Sequence, residues 1–402
     1  MSMQKDRSGW NSFKRLFVVE KAETGMLSAA KPATETQEVK AGKKIQVDKI
    51  TLLRSAPDIG RWRSALMVAE SKTRPDRRML YQVYNEIVID AHLESVMSRI
   101  RLKCTNNPIR FYNVDGEEME GDVNDMTKTI WFMDLVTLII ESKWWGHSLI
   151  QCNFLDKTFS PDTTQGIELI HRPNVRPEYG DVLPTQGDEK NAIPYRKPPY
   201  SNYLIEVGKP LDLGLLNVVA PNVLYKRYGV KDWAEFLEVY GMPIREIQYD
   251  PNIPGQRQEA ESILEDQGSN AGIATPMGST FNLHDTAKAG NSQAFDLNAK
   301  FHNGEISKAF LLQTMTTENG SSLSQAEVHQ EAEKEAIMGY RLFVEMVLNF
   351  KLKPILERHG YQVGDGTFRY DDRRQLNKAQ LADLVVKLAT VTDIPMWWIS
   401  ET

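Results

Sequence analysis

The order of helical and strand-like segments between residues 214 and 325 constrains the fold more than any other feature of this chain. A helical pattern at 214–243 is followed by a short strand–helix–strand pattern at 244–286, and a second helical pattern covers 287–313. If the insert folds by itself, its flanking helices lie antiparallel and form a stalk with a projecting tip. Such a stalk suits contacts with other proteins, but a helical hairpin inside a globular domain fits the pattern equally well.

A polar loop and a long helix follow the second helical pattern. Residues 314–325 are mainly Thr, Ser, Asn and Gly. Ser324-Gln325-Ala326-Glu327 is a capping-box sequence, in which the Ser and Glu side chains satisfy free backbone N–H groups at a helix start. The sequence therefore predicts a helix that runs to about Glu357 and bends before Pro354.

Upstream, the spacing of apolar residues predicts one helix over 77–101 and another over 122–144, ended by Gly146. Alternation predicts strands at 109–112, 149–154 and 244–249, and two brief strands are expected near Ile273 and Leu283. Residues 156–202 contain seven prolines and read as an exposed, irregular or β-rich region. Pro221 is expected to kink or split the first stalk helix. A strand at 368–370 and a helix at 378–390 complete the prediction.

Residues 1–48 are polar and of low complexity, and they bury too little apolar area to offset the entropy lost on ordering. We interpret this segment as a flexible arm. The alternative is a tail that docks on a neighbouring subunit.

Composition excludes several classes of protein. The net charge is −6, whereas gripping nucleic acid over the whole surface needs a basic excess. Two cysteines, Cys104 and Cys152, cannot form a disulfide framework and fit a reducing compartment. No apolar run approaches the roughly 18 residues of a membrane span. These features predict a multi-part protein made in the cytoplasm.

Signatures of catalysis are missing from the sequence. It contains no Walker-type phosphate loop, no HExxH and no GxSxG. We therefore predict no enzyme activity, no cofactor and no metal. The alternative is a metal-dependent nuclease or phosphohydrolase that uses His171, His284 and Asp285.

Two blocks of sequence resemble the Mu-like bacteriophage portal protein family. They are YKRYGVKDWAEFLEVYGMPIR at 225–245 and FLLQTMTTENGSSLSQAEVH at 310–329. Weaker agreement at 90–93 and 145–148 extends the resemblance over roughly 80–390. The sequence departs from the family at Leu312, where the family usually has Gly before the Gln, and in its early end, from which we expect the chain to be the front part of a longer one.

The resemblance implies an α+β portal subunit that assembles into a ring. The implied parts are an N-terminal arm (1–48), the first part of a wing (49–213), stem helix 1 (214–243), a clip (244–286), stem helix 2 (287–313), a tunnel loop (314–325), a long wing helix (326–360) and the wing and crown start (361–402). It also implies a ring of about twelve subunits at one capsid vertex of the virion, assembled in the host bacterial cytoplasm. Double-stranded DNA would pass through the ring. The implied partners are the terminase large subunit, a head–tail adaptor, the major capsid protein and scaffold, with no membrane.

Site residues follow from these parts as expectations. Lys300 and Lys308, on the second stem helix, would either form rings of positive charge that damp DNA sliding or pair with acidic neighbours. The tunnel-loop residues expected to touch DNA without trapping it are Thr314, Thr316, Thr317, Glu318, Asn319, Ser321 and Ser322. The clip residues expected to bind partners are Arg245, Arg257, Glu259, Glu261, Glu265 and Asp266. Another phage head or adaptor protein is the remaining structural alternative.

Overall fold

A computed structural model describes residues 45–48, 58–155, 166–240, 245–266, 272–279, 290–313 and 323–371. All of them belong to one compact unit that spans 40–402. The predicted arm lies outside these ranges except for its last four residues, where Ile45 is buried and its N–H donates to Gln151 Oε1 at 2.9 Å. The strand predicted near Leu283 and the helix predicted at 378–390 also lie outside them.

Helices supply most of the main core, as the apolar spacing predicts. The helices are α1 (Ile59–Ala69), α2 (Arg78–Ile87), α3 (Ala91–Thr105), α4 (Asp122–Met126), α5 (Ile130–Trp145), α6 (Leu215–Tyr240), α7 (Gln256–Asp266), α8 (Gly290–Leu311), α9 (Leu323–Val347) and α10 (Lys353–Arg358). A π-helical turn, Leu348–Leu352, joins α9 to α10.

Two of the predicted long helices are in fact pairs. The helix predicted over 77–101 is broken before Asp90, which is extended and accepts a hydrogen bond from Leu93 N–H as the N-cap of α3. The helix predicted over 122–144 is broken at Thr127 and Thr129, whose hydroxyls donate to the carbonyls of Asn124 and Met126, both at 2.7 Å. Side-chain bonds of this kind compete with helix continuation.

Glycine and proline bear on three further helix predictions. Gly146 ends α5 in the left-handed conformation, with φ 83°. The prediction that Pro221 could split the stalk helix is wrong, since α6 is continuous through it. Where we expected a bend before Pro354, the chain forms the π-helical turn. The proline then occupies the first turn of α10, where its missing N–H is tolerated.

Among the described residues, four small sheets accompany the helices. β2 (His147–Cys152) lies between β3 (Ile167–Leu169) and β6 (Leu204–Gly208), antiparallel to both. The other pairs are antiparallel β1 (Ile109–Tyr112) with β9 (Thr367–Tyr370), antiparallel β4 (Val175–Arg176) with β5 (Asp181–Val182), and parallel β7 (Arg245–Tyr249) with β8 (Gly272–Pro276).

The proline-rich region predicted to be exposed and irregular builds a small core of its own. Val175, Val182 and Tyr195 pack with Leu149 of β2 and Leu204 of β6. The prediction of an exposed region is therefore wrong for the described part of 156–202. Isolated prolines break the strands into short pieces, but they do not prevent those pieces from burying apolar side chains.

Side chains from α9 and the π-helical turn occupy the free edge of β9. Asn349 exchanges two hydrogen bonds with the backbone of Phe368, at 2.8 and 2.9 Å, and Glu345 Oε1 accepts from Tyr370 N–H at 2.7 Å. These groups satisfy the strand edge that β1 leaves open. None of the described helices is long and apolar enough to cross a membrane.

Candidate functional site

Helices α6 and α8 form an antiparallel pair that carries the β7–α7–β8 unit between its ends. His302 Nδ1 lies 3.0 Å from Asn222 Oδ1, whereas the rings of Phe295 and Phe236 are 5.7 Å apart. Because the residue number on α8 falls as that on α6 rises, the helices run in opposite directions. The predicted stalk with a tip is thus present as a pair of helices with a small α/β insert.

Gly229 of α6 leaves room for a polar side chain of α8. An added Cβ at this position would come within 2.3 Å of Asn298 Nδ2 on α8. The Asn298 amide would therefore have to move to admit a larger residue at position 229.

Only the base of the pair is packed into the main core. Leu216, Val219, Val223 and Leu224 of α6 are buried together with three α8 residues, Ile306, Phe310 and Leu311. Beyond these positions both helices expose large apolar side chains, among them Tyr228, Val230, Leu237, Leu297 and Phe301. The outer part of the pair therefore projects from the core.

A polar layer joins the base of the pair to α3. Lys226 Nζ lies 2.5 Å from Asp90 Oδ2 and 2.8 Å from Asn303 Oδ1, and His92 Nε2 lies 2.8 Å from Ser307 Oγ. Lysine side chains are mostly solvated at the surface, but that of Lys226 is 11% exposed. Its partner Asp90 lies 136 positions away in the sequence, and no local pattern relates the two.

His302 of α8 also lies in this layer. Partial burial lowers the pKa of its imidazole, and the positive charge of Lys226 lowers that pKa further. The imidazole is therefore held neutral, hydrogen-bonded to Asn222 and stacked near the Tyr225 ring at 6.3 Å.

The connection between β6 and α6 is clamped by another buried side chain that sequence reasoning did not single out. Arg77 is 4% exposed, pairs with Glu178 at 2.5 Å, and donates to the carbonyls of Asp212 (2.7 Å) and Pro210. Tyr84 OH donates to Leu213 O at 2.7 Å. These bonds fix where α6 leaves the main core.

The tip is acidic and has little core among its described residues. Residues 245–279 carry two arginines and six carboxylates, a net charge of −4. In the described part of this unit Ala260 and Thr275 are buried, whereas the other described side chains are half-buried or exposed. Much of its described surface is therefore open to solvent.

The predicted partner-binding residues lie on two elements of this tip. Arg257 pairs with Glu261 on α7 at 2.8 Å, which raises the pKa of the Arg257 guanidinium, and Glu259 on the same helix is exposed. Arg245 begins β7, and Glu265 and Asp266 end α7; the side chains of these three residues lie outside the description.

The two predicted channel lysines make ion pairs within their own helix. Lys300 Nζ lies 2.7 Å from Asp296 Oδ2, and Lys308 Nζ lies 2.5 Å from Glu305 Oε1. All four side chains are solvent-exposed at their tips, so each pair is weak and screened by salt. Local pairing nevertheless leaves no net positive charge at either lysine.

The predicted tunnel-loop residues Thr314 to Ser322 lie outside the described residues. Leu312, just before this loop, adopts φ 59° and is the one non-glycine residue with positive φ in the described chain. The resemblance described above led us to expect glycine at this position, and glycine is the residue that adopts a left-handed backbone without steric cost.

The alternative of a metal-dependent enzyme gains no support from the described histidines. His171 Nδ1 lies 2.7 Å from Asn174 Oδ1, and Asn174 in turn donates to Leu183 O at 2.8 Å, so this histidine braces a turn. His284 and Asp285 lie outside the description. No group of three or more potential ligands occurs among the described residues.

Comparison with known proteins relates this geometry to one family. A family model described as the portal protein of Mu bacteriophage matches residues 81–402. The portal protein of Escherichia phage Mu is 32% identical over 199 residues, which are 47% of this chain and 38% of that protein. The Mu-like prophage FluMu protein gp29 of Haemophilus influenzae is 29% identical over 113 residues, 28% of this chain and 22% of that protein.

The matches thus span less than half the length of either relative. A crystal structure of an HK97 family phage portal protein from Corynebacterium diphtheriae aligns with 78% of this chain and 97% of its own, with a TM-score of 0.37 and 14% identity.

The geometry thus defines the class of protein: an α+β chain with a projecting pair of helices and a small α/β unit inserted at the tip of that pair. Because the family model covers well over half of the chain, the protein belongs to the family of Mu bacteriophage portal proteins. The resemblance seen at 225–245 and 310–329 is confirmed.

Proposed function

We propose that this chain is one subunit of a ring of about twelve copies, through which double-stranded DNA enters and leaves a phage capsid. The observation that carries the proposal is the antiparallel pair α6–α8 with an α/β unit at its tip, in a chain of this portal family. The pair is the stem, residues 244–286 are the clip, 314–325 the tunnel loop, and the main core is the wing. The ring sits at a unique vertex of the virion and is assembled in the host cytoplasm.

The charges of the stem suit a conduit. A channel must let a polyanion slide, and a surface that releases many counterions on contact would hold the DNA instead. The pairs Lys300–Asp296 and Lys308–Glu305 leave no unbalanced positive charge at these two positions. The uncharged Thr, Asn and Ser side chains of 314–322 touch the passing duplex, and Glu318 adds repulsion.

The acidic tip supplies the docking site for successive partners. We assign it first to the terminase large subunit and then to the head–tail adaptor, both of which would present basic surfaces. The wing faces the major capsid protein and scaffold. The chain itself is a structural protein without a cofactor, and the packaging motor is a separate chain.

The mass of the purified chain tests the ring. Light scattering behind a sizing column should give about 550 kDa, twelve times the 45.8 kDa chain, and negative-stain images should show a central hole. A monomer at every concentration would contradict the proposed function. Metal-dependent DNA cleavage by that monomer would favour the nuclease alternative.

Deleting residues 316–322 tests the tunnel loop separately. We expect the ring to assemble normally, because the deletion spares the packed helices, whereas genome retention or packaging falls. The matched control is a deletion of equal length within 25–40 of the arm. Unchanged packaging and retention in the loop deletion would refute the assignment of this loop.

A further inference from the structure

Four exposed apolar side chains follow one side of α9 and the π-helical turn after it. They are Met338, Leu342, Met346 and Phe350, spaced four residues apart and each at least half exposed. Together they present on the order of 400 Å² of apolar surface, the size at which exposed patches mark interaction sites. We call these residues the α9 patch. Gly339, next to Met338, has open space where a Cβ would point, so another helix can approach closely there.

Strand β9 runs along α9 beside this patch. Asn349 exchanges hydrogen bonds with the backbone of Phe368. Earlier on the helix, Glu345 Oε1 accepts from Tyr370 N–H at 2.7 Å, and the Arg341 guanidinium lies 5.2 Å from the centre of the Tyr370 ring. Three patch residues directly follow these three contact residues in the sequence and lie about 100° further round the helix. The strand therefore borders the patch and runs toward the start of α9.

The chain reaches the edge of the patch at the last described residue. Asp371 follows β9, and its N–H donates to Pro108 O at 2.8 Å. Because β9 runs toward the start of α9, the next residues come level with the first patch residue, Met338. The connection 372–377 spans up to about 20 Å when extended. It is therefore long enough to turn and carry the chain onto the patch.

Charges favour the same course. The connection has a small positive excess, from Asp372, Arg373 and Arg374. The exposed surface of α9 just before the patch has a small negative excess, from Glu331, Lys334 and Glu335. Exposed charges contribute little energy, but these have the signs that draw the connection toward the start of α9.

Residues 378–390 have the apolar face that the patch requires. Their apolar residues at helical spacing on one face are Leu381, Leu384, Val385 and Leu388. Asn377, just before them, is a preferred N-cap residue. A helix over 378–390 would be about 20 Å long, and the patch extends about 18 Å from Met338 to Phe350. The two apolar surfaces therefore match in length.

We infer that segment 378–390 forms a helix that packs on the α9 patch of its own chain. The structure brings the chain to the border of the patch, and the short connection keeps the segment at an effective concentration on the order of millimolar. A second copy or a capsid protein would have to displace it. Helix α9 then lies between the main core and segment 378–390. The inference is independent of the proposed ring, because both surfaces belong to one chain.

Methionine oxidation in the full chain tests whether the patch is covered. Met338 and Met346 lie in the patch, and Met67 on α1 and Met277 on the tip are exposed references. With hydrogen peroxide and mass spectrometry, the two patch methionines should oxidise about fivefold more slowly than the references, because a packed helix shields their thioethers. Rates equal to those of the references would overturn the inference.

Two charge substitutions test whether segment 378–390 is the cover. Leu384→Glu places a charge on the apolar face and should raise oxidation of the patch methionines to the rate of the references. Lys387→Glu is the matched control, since position 387 lies off that face, and it should leave the protection intact. Circular dichroism checks that both variants stay folded. Protection that survives Leu384→Glu, or that is also lost in Lys387→Glu, would overturn the inference.

A cross-link separates docking within one chain from docking on a second copy. Leu342→Cys and Leu384→Cys in one chain place thiols on the patch and on the segment, while the native Cys104 and Cys152 are buried. A short bismaleimide should join the two new thiols in a product that keeps the single-chain mass of 45.8 kDa on a denaturing gel. The control pairs Leu384→Cys with Ile253→Cys, exposed on the tip, and should give no such product.

The outcomes separate this contact from the proposed function. A product of twice the single-chain mass, no product, or an equal yield in the control pair would overturn the inferred contact and leave the ring untouched. If the unsubstituted chain forms no ring but the cross-link forms within one chain, the proposed function fails and the contact stands.

Discussion

Leu312 has a backbone conformation that is unfavourable for a residue with a side chain. A left-handed conformation costs an L-residue with a Cβ roughly 1–2 kcal/mol, and Leu312 adopts it at the end of α8 while leaving its side chain 69% exposed. The side chain buries too little apolar surface to offset that strain. The strained residue lies where the proposed stem passes into the proposed tunnel loop.

Leu312→Gly should therefore raise the free energy of unfolding by about 0.5–1 kcal/mol, the relief of strain less the extra entropy of glycine in the unfolded chain. Leu312→Val should lower it by about 1 kcal/mol, because β-branched residues tolerate positive φ poorly. Urea titration followed by circular dichroism measures both. A loss of stability in the glycine variant would contradict the strain argument.

At Glu206, burial and hydrogen bonding shift the pKa of the carboxyl group in opposite directions. Burial alone would raise the pKa of its carboxyl, but hydrogen bonds donated by His147, Arg196 and Tyr195 outweigh burial and lower that pKa. Burial also lowers the pKa of His147, and its bond to Glu206 offsets only part of that shift. The carboxyl is thus held ionised and the imidazole neutral.

Both shifts make the fold sensitive to acid. The unfolded chain takes up protons at the ordinary values, 6.5 for histidine and 4.5 for glutamate, before the folded chain does. The free energy of unfolding should therefore fall as the pH drops below about 6.5 and again below about 4.5. Glu206→Gln should cost about 2 kcal/mol at neutral pH and flatten the second fall, as denaturant titrations across pH would measure.

The exposed Glu189, which pairs with Arg74 at 3.1 Å, offers a control in Glu189→Gln. Its effect should stay below about 0.5 kcal/mol, with the acid profile unchanged. Identical profiles for Glu206→Gln and the unsubstituted chain would remove Glu206 as a source of acid sensitivity.

At the scale of elements, α6 contains a buried and an exposed lysine that should behave differently. Lys226 is paired with Asp90 at the polar layer, whereas Lys231 makes an exposed pair with Glu235 at 3.4 Å. Lys226→Met leaves the Asp90 carboxylate buried without its cation and should cost about 3 kcal/mol. Lys231→Met should cost less than about 0.5 kcal/mol. Thermal or urea unfolding measures the loss of unfolding free energy in each variant. Equal losses would show that the polar layer does not anchor α6 to α3.

The spacing of apolar residues predicted most of the described helices and strands, because the buried face of each element is determined by residues close together in the sequence. It missed the breaks at Asp90 and at Thr127–Thr129, where side-chain oxygens bond nearby backbone groups while the apolar spacing continues almost unchanged. It also missed the small core of the proline-rich region, since Val175 and Tyr195 become buried only when distant strands meet.

At the scale of the whole molecule, the candidate site was only partly predictable. The order of a helix, a small α/β insert and a second helix is a linear property of the chain, so the sequence could predict the described elements from Leu215 to Leu311 in their order. The pairing of β1 with β9 and the contact of Lys226 with Asp90 join positions more than 100 residues apart, which no spacing rule relates.

The scarcity of buried side chains at the tip has a consequence for how it meets its partners. A unit whose described part buries little beyond Ala260 and Thr275 has few contacts to lose when its backbone shifts. Its amide protons should exchange with solvent faster than those of α5 or β2. A unit whose backbone changes conformation at so little energetic cost can adapt to the surface of one partner. After that partner leaves, it can adapt to another partner of different shape.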